Sequence, residues 1–190
     1  LNRLVPGAVS ECISLDNEHG GYVATKSLLD LGHRDLAYLS GPVWKRDSLK
    51  RLAGHKRALE EFGLEFNEQL LFEGNYEESS GREGMEYFLK SGFPFSALIC
   101  GNDEMAAGAM GAAREKGLSI PDDFSVIGFD NVFFSRLLHP TLATIDCPIR
   151  EMGKMAARSV LKNVYGEENL EIQYRFEPRL VRRASISPIQ

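Results

Sequence analysis

Residues 96–131 read SALICGNDEMAAGAMGAAREKGLSIPDDFSVIGFDN and place one helical pattern between two short apolar runs. The runs, at 97–100 and 124–129, are continuous, as is typical of strands that a parallel sheet buries on both faces. Asn102 or Asp103 can cap the intervening helix, and Gly117 is placed to end it. The stretch therefore predicts a strand–helix–strand unit of an α/β fold.

Both predicted strands end in polar residues. Asn102 and Asp103 follow the first strand, and Asp130 and Asn131 follow the second. Parallel strands place their carboxyl ends at one edge of the sheet, where open α/β folds bind ligands. We therefore expect this edge to form one wall of a pocket for a small polyhydroxylated molecule.

The rest of the chain alternates strand and helix patterns in the same way. Strands are predicted at 12–15, 36–39, 70–72, 142–145, 172–176 and 180–186, and helices are predicted to begin near 17, 49, 79 and 151. Such alternation is typical of a mostly parallel sheet with helices on both faces. The opening strand and helix, the helix from 151 and the strand at 172 are left over, and they predict a second sheet that is incomplete here. The helix from 151 is predicted to bury Met152, Met155, Ala156, Ser159, Val160 and Val164.

The composition is that of an ordinary globular protein. Hydrophobic residues make up 43% and charged residues 26% of the chain, which argues against disorder. The net charge of −5 argues against nucleic-acid binding through this surface, because phosphate contacts need concentrated positive charge. No apolar stretch approaches the roughly 20 residues of a membrane span, so no membrane contact is expected.

The chain lacks the familiar sequence signals of enzymes and metal proteins. It contains no G-x-S-x-G elbow and no G-x-x-x-x-G-K-[ST] phosphate loop. The histidines show no metal-ligand spacing; they are His19, His33, His55 and His139. The three cysteines are an odd number, and we expect reduced core thiols in a cytoplasmic protein. No catalytic site, metal or cofactor is therefore predicted.

Eight motifs occur in a fixed order along the chain. They are LGH at 31–33, SGP at 40–42, RLAG at 51–54, NDEMAAGAM at 102–110, IPDD at 120–123, SVIGFDN at 125–131, PTLATI at 140–145 and PRLVRRAS at 178–185. Each is weak alone, but together and in this order the chain resembles the LacI/GalR family of bacterial transcriptional regulators, the lactose- and galactose-repressor type. The resemblance extends over essentially all 190 residues.

The resemblance implies a two-lobed, periplasmic-binding-protein-like α/β fold with an effector in the cleft between the lobes. The first, partial lobe would take residues 1–34 and 146–177, and the second lobe residues 35–145 and 178–190. The family's N-terminal helix-turn-helix module is missing from this chain, which is then the effector-binding core fragment. Operator DNA would be bound through that missing module by a homodimer.

The ligand contacts that the resemblance implies begin with three polar residues. Arg51 matches the family's ligand-contacting arginine, and its fork of donors suits paired hydroxyls or a carboxylate. Asp130 ends its strand at the crevice and can accept hydrogen bonds from vicinal hydroxyls. Asn102 offers a donor and an acceptor at the neighbouring strand end. The alternatives are an exposed helix arginine for Arg51 and helix or strand capping for Asp130 and Asn102.

Three further residues are candidate effector contacts. Tyr76 matches a position where family members place an aromatic ring against the ligand, which suits sugars and purines alike. Trp44, the single tryptophan, lies in the polar connection opposite, where simple packing is the alternative. His19 falls where relatives have a polar contact from the first lobe, and a surface or capping histidine is the alternative.

The effector is expected to be a sugar or glycoside. Purine-sensing relatives carry an arginine and a threonine in the connection before the shared arginine, whereas this chain has Lys45 and Asp47. The opening residues 2–6 and the closing residues 180–183 resemble galactose-type repressors, and the middle is also similar to β-glucoside regulators. The alternative function is that of a periplasmic sugar-binding protein of a transport system, which would share the two-lobed fold.

Overall fold

A computed structural model describes residues 12–189 of the chain. The similarity of residues 2–6 to galactose-type repressors therefore lies outside the described residues. The strands are β1 (Ser14–Leu15), β2 (Leu36–Ser40), β3 (Leu71–Glu73), β4 (Ala97–Cys100), β5 (Ser125–Asp130), β6 (Ala143–Asp146), β7 (Arg175–Phe176) and β8 (Arg179–Val181). The helices are α1 (Asn17–Leu29), α2 (Arg46–Glu61), α3 (Glu78–Ser91), α4 (Asp103–Glu115) and α5 (Ile149–Tyr165).

A six-stranded sheet with the order β3-β2-β4-β5-β6-β8 is the centre of the fold. Its pairings are parallel except at β8, which runs antiparallel to β6. Every residue of β2 and β4 is buried, which explains their continuous apolar sequence. The predicted α/β fold with a mainly parallel sheet is confirmed.

The strand order reverses direction between β2 and β4. From β2 the chain passes through α2 to β3 on one side, whereas from β4 it passes through α4 to β5 on the other side. Such a reversal leaves a crevice at the carboxyl ends of the two strands, and open α/β folds bind ligands there. We call the ends of β2, β4 and β5, at residues 41, 101 and 130, the carboxyl edge.

Helices cover both faces of the large sheet. On one face, α3 and α4 contribute Met85, Phe88, Met105, Ala109 and other residues to one buried cluster. On the other face, a second cluster joins α1, α2 and α5 to the sheet, and includes Leu28, Ala58 and Met152. Helices α1 to α4 therefore each bury one face against the same central layer, whereas α5 adds mainly Met152.

The short strands β1 and β7 form a separate, parallel two-stranded sheet. Residues of both strands, Leu15 and Phe176, belong to the same buried cluster as Tyr38 and Ile127 of the large sheet. The core is thus continuous across the predicted boundary between the lobes. The assignment of residues to two lobes stays a prediction.

The outer half of α5 is more exposed than its sequence pattern predicts. Met152 is fully buried, and Met155, Ala156 and Ser159 are partly buried, but Val160 and Val164 are 53% and 70% exposed. The prediction that these two valines are buried is wrong. The small sheet has only two short strands among the described residues, so it offers no surface long enough for the whole helix.

Candidate functional site

Arg51 is buried at the carboxyl edge, although it is a charged residue of a helix. Its side chain is only 8% exposed. Nε donates to Asn17 Oδ1 at 2.8 Å, and one terminal nitrogen donates to the carbonyl oxygen of Gly101 at the end of β4. The guanidinium also lies 3.6 Å from the ring centroid of Phe129. The structure excludes the alternative of an exposed helix arginine.

A close contact between α1 and α2 brings Asn17 and Arg51 together. A Cβ added at Gly21 would lie 2.0 Å from the carbonyl oxygen of Arg51, and one added at Gly54 would lie 1.9 Å from that of Glu18. Only glycine leaves room for two helix backbones at this distance. The glycines thus allow α1 to place an acceptor beside a cation of α2.

Asp130 lies across from Arg51, with Oδ1 at 3.6 Å from a terminal guanidinium nitrogen. Its φ of +110° is unusual for a residue other than glycine, and such strained backbones are frequent at functional sites. Burial raises the pKa of Asp130, and the nearby Arg51 charge opposes that shift. Among residues 12–189, no group donates a hydrogen bond to this carboxylate, so its oxygens can accept from a ligand.

Asn102 acts as the N-cap of α4. Its Oδ1 accepts from the backbone N–H of Met105 at 2.9 Å, and its Nδ2 donates to the carbonyl oxygen of Tyr76 at 2.8 Å. The capping role is therefore real, and one amide hydrogen remains for a ligand. The prediction that Asn102 contacts the effector stays open.

Asp103 lies directly below the carboxyl edge and is fully buried. Its carboxyl accepts from the hydroxyl of Thr144 at 2.6 Å and from the backbone N–H of Val132 at 2.9 Å. Burial raises the pKa of Asp103 to about 7, against the lowering effect of these hydrogen bonds. Asp103 thus connects α4 with β6 and with the loop that follows Asp130.

Tyr76 reaches the carboxyl edge from the segment after β3. Its φ is +75°, and a Cβ added at Gly41 would lie 2.0 Å from its Cζ, so the hydroxyl end of the ring lies against the end of β2. The ammonium of Lys45 lies 4.8 Å from the ring centroid. Burial raises the pKa of Tyr76, and the nearby Arg51 and Ser48 offset part of that shift.

Trp44 and His19 lie outside this group of residues. Trp44 is 77% exposed, and the ammonium of Lys45 lies 5.3 Å from its ring. His19 is half-buried in the first turn of α1, and its ring stacks on Tyr22 at 6.1 Å. Their roles as effector contacts stay predictions.

The sequence did not reveal two residues that place Arg51. Asn17 lies where the sequence predicts a helix to begin, and Phe129 lies in an apolar run that predicts a strand. Only their position in the sequence pointed to the site, because both residues adjoin polar residues at the ends of predicted elements. Pairing either residue with Arg51 required the distance between α1, α2 and β5, which a sequence pattern does not contain.

The described residues give no sign of a metal centre or a membrane span. Within residues 12–189, no three His, Cys, Asp or Glu side chains come together in a way that could hold a metal ion. None of the helices in that range is long and apolar enough to cross a membrane.

Comparison with known proteins assigns the family. Residues 25–186 match the model of the periplasmic binding protein-like domain. A crystal structure described as a sugar-binding transcriptional regulator of the LacI family from Escherichia coli, complexed with phosphate, superposes with a TM-score of 0.93 and is 34% identical. The match covers 99% of this chain and 67% of that structure. This chain belongs to the LacI family. The predicted periplasmic-binding-protein-like fold is confirmed with it.

Other LacI-family relatives extend the comparison. The transcriptional regulator GalR of Escherichia coli K12 is 40% identical over 187 residues, which are 98% of this chain and 54% of GalR. The repressor PurR of Vibrio campbellii is 37% identical over 176 residues, 92% of this chain and 53% of PurR. A regulator CelR–cellobiose complex, 28% identical, superposes with a TM-score of 0.84 over 92% of this chain and 54% of that one. The chain spans about half the length of the curated relatives it matches.

Proposed function

We propose that this chain is the effector-binding part of a cytoplasmic, homodimeric transcriptional repressor. A sugar or glycoside binds at the carboxyl edge, and its binding controls operator DNA binding through a helix-turn-helix module elsewhere in the protein. The similar proteins are transcriptional regulators, so neither an enzyme nor the periplasmic transport alternative is favoured.

The observation that supports this function is the facing pair of Arg51 and Asp130. Arg51 uses two of its five N–H groups on Asn17 and Gly101, and Asp130 receives no hydrogen bond within residues 12–189. A fixed donor fork opposite a carboxylate that accepts no hydrogen bond can bind adjacent hydroxyl groups of one molecule. Adjacent hydroxyls of a polyol can satisfy both groups at once, as can the polar edge of a purine. Lys45 and Asp47, in place of the arginine and threonine of purine-sensing relatives, favour a sugar over a purine.

The control of DNA binding follows from linkage between the ligand and the lobe arrangement. Arg51 belongs to the predicted second lobe, whereas its partner Asn17 belongs to the predicted first lobe. A ligand that contacts both lobes favours the arrangement that it fits best, by the difference between its affinities for the two states. The lobe arrangement then sets how the two DNA-reading modules of a dimer are placed.

Isothermal titration calorimetry with a panel of hexoses, pentoses, cellobiose, β-glucosides and purine bases tests the proposal. We expect at least one sugar to bind. At about 100 times its Kd, that sugar should raise the free energy of unfolding by about 2.7 kcal/mol and the melting temperature by about 5–10 °C. If a purine base binds and no sugar does, the sugar assignment is wrong.

Two substitutions test the residues of the site. Asp130→Asn keeps the side-chain size but removes the charge, and Arg51→Lys removes the planar fork. Each should weaken sugar binding by about 10- to 100-fold, because hydrogen bonds to charged groups are lost. Arg114→Lys, on the exposed last turn of α4, is the matched control and should bind as the unmodified protein does. Full affinity in both site variants would refute this site.

A further inference from the structure

The turn that carries Asp130 out of β5 has an unusual backbone conformation. Asp130 has a φ of +110°, and the next residue, Asn131, has a φ of +55°. Residues with side chains rarely adopt either value, although asparagine tolerates the second one better than most residues do. Such a conformation persists only where the surrounding structure specifies it. The contacts around this turn therefore determine where the Asp130 carboxylate lies.

Asn131 is hydrogen-bonded through three of its groups, and each partner is distant in the sequence. Its backbone N–H donates to Thr144 Oγ1 at 3.2 Å, and its Nδ2 donates to Asp146 Oδ1 at 2.7 Å. Its Oδ1 accepts from a terminal guanidinium nitrogen of Arg183 at 2.6 Å. Strand β6 and the segment after β8 thus both hold the turn that follows β5.

Arg183 joins this turn to two further places in the chain. Its other terminal nitrogen donates to the carbonyl oxygen of Leu142 at 2.6 Å and to Ser135 Oγ at 3.0 Å. The side chain is half-buried, and its planar fork bonds all three acceptors at once. A lysine ammonium is a single point charge on a flexible stem and cannot reproduce this geometry. The guanidinium therefore fixes Asn131 relative to the start of β6 and the loop before it.

The Asp130 carboxylate has no comparable support of its own. Among residues 12–189, no group donates a hydrogen bond to it, and its distance of 3.6 Å from Arg51 is too long for one. Its direction therefore depends mainly on the backbone of the turn.

We propose that Arg183 is a positioning residue for effector binding. Through Asn131 it fixes the turn after β5, and the turn holds the Asp130 carboxylate opposite Arg51, where the effector binds. Arg183 itself does not touch the effector. This inference rests on the function proposed above.

Titration of two variants with the tightest-binding sugar of the panel gives the first test. Arg183→Lys keeps the charge and removes the fork, and it should raise the Kd about 5- to 20-fold. Asn131→Gly removes both side-chain hydrogen bonds but keeps a residue that accepts a φ of +55°, and it should weaken binding to a similar extent. Arg182→Lys, at the exposed neighbouring position, is the matched control and should leave the Kd unchanged. If Arg183→Lys binds as the unmodified protein does while Asp130→Asn binds weakly, the inference is wrong and the proposed function stands.

A double-mutant cycle separates positioning from a general effect on the fold. If Arg183 acts through Asp130, adding Arg183→Lys to Asp130→Ala should raise the Kd less than twofold further. A residue that only stabilises the fold would lower the melting temperature of both backgrounds and leave both Kd values unchanged. A residue that acts independently of Asp130 would weaken binding by the same factor in both backgrounds. Either of these two results would overturn the inference, whereas failure of the unmodified protein to bind any sugar would refute the proposed function and this inference with it.

Discussion

Asp103 shows how one buried carboxyl group links the site to pH. Its pKa of about 7 lies above the ordinary value of 3.8, and burial is the main cause. Because the folded state holds the proton more tightly than the unfolded state, this group favours folding fully below about pH 4. That contribution is lost as the pH rises towards 7.

Asp103→Asn should therefore remove a pH-dependent component of stability. Between pH 4 and pH 7, the free energy of unfolding of the unmodified protein should fall by about 2–4 kcal/mol relative to that of the variant. Urea unfolding at each pH measures this difference. Burial lowers the pKa of His55 to about 3, which costs stability on acidification, but His55 is present in both proteins and cancels in the difference. Asp122→Asn, at an exposed carboxylate, is the control and should behave as the unmodified protein does. If the free energy of unfolding of Asp103→Asn changes with pH in the same way as that of the unmodified protein, the prediction is wrong.

At the residue scale, the sequence predicted which side chains lie at the carboxyl edge. It predicted less well which contacts those side chains make there. Arg51 and Asp130 face each other, because α2 begins at the same edge of the sheet at which β5 ends. The capping of α4 by Asn102 is a local contact that the sequence predicted. The burial of Asp103 and the second hydrogen bond of Asn102 instead depend on contacts with β6 and Tyr76. Those contacts join residues far apart in the chain, which periodicity cannot reveal.

The contact between α1 and α2 is the element on which the position of Arg51 depends. Alanine ordinarily stabilises a helix interior relative to glycine by about 0.5–1 kcal/mol. At Gly54 the sign should reverse, because the added Cβ would lie 1.9 Å from the carbonyl oxygen of Glu18. The backbone of α1 cannot move away from this Cβ as a flexible side chain could.

We expect Gly54→Ala to destabilise the protein by about 1–3 kcal/mol and to weaken sugar binding, since α2 must shift away from Asn17. Gly153→Ala is a matched control, because Gly153 lies within α5 and a Cβ there meets nothing within 4 Å. That control should be stabilised or unchanged in chemical denaturation. Equal effects of the two substitutions would mean that the helices do not pack this closely.

The elements themselves were largely readable from glycines and apolar runs. Gly92 and Gly166 end α3 and α5 in the left-handed conformation, as C-terminal signals should. The exposed valines of α5 were not predictable, because an amphipathic pattern shows that a face is apolar but not what covers it. The antiparallel direction of β8 was also not apparent, since a short apolar run has no direction.

At the scale of the whole molecule, the net charge bears on the proposed division between effector binding and DNA binding. The chain carries a net charge of −5, and its arginine at the site is paired and buried. Residues 1–190 alone should therefore show no binding to duplex DNA by fluorescence anisotropy at about 150 mM salt. A salt-dependent rise in anisotropy would show that this part of the protein contributes its own DNA contacts.

The overall fold followed from the alternation of strands and helices, but the division into lobes did not follow with equal clarity. The order of elements predicts a parallel sheet with a crevice, and the six-stranded sheet has both features. The buried cluster that joins Leu15 and Phe176 to Tyr38 could not be predicted, because it depends on how the chain crosses between sheets. Lobe boundaries are set by such crossings and not by local sequence.

The glycine contact between α1 and α2 restricts how the cleft can open. At Gly21 and Gly54 the backbones of the two helices are in direct contact, with no side chains between them. Hard-sphere repulsion between the backbones therefore opposes sliding of one helix along the other at this seam. We therefore expect the proposed cleft to open by rotation about this seam and not by sliding along it. Trp44, exposed in the segment before α2, offers a fluorescent reporter for such a movement.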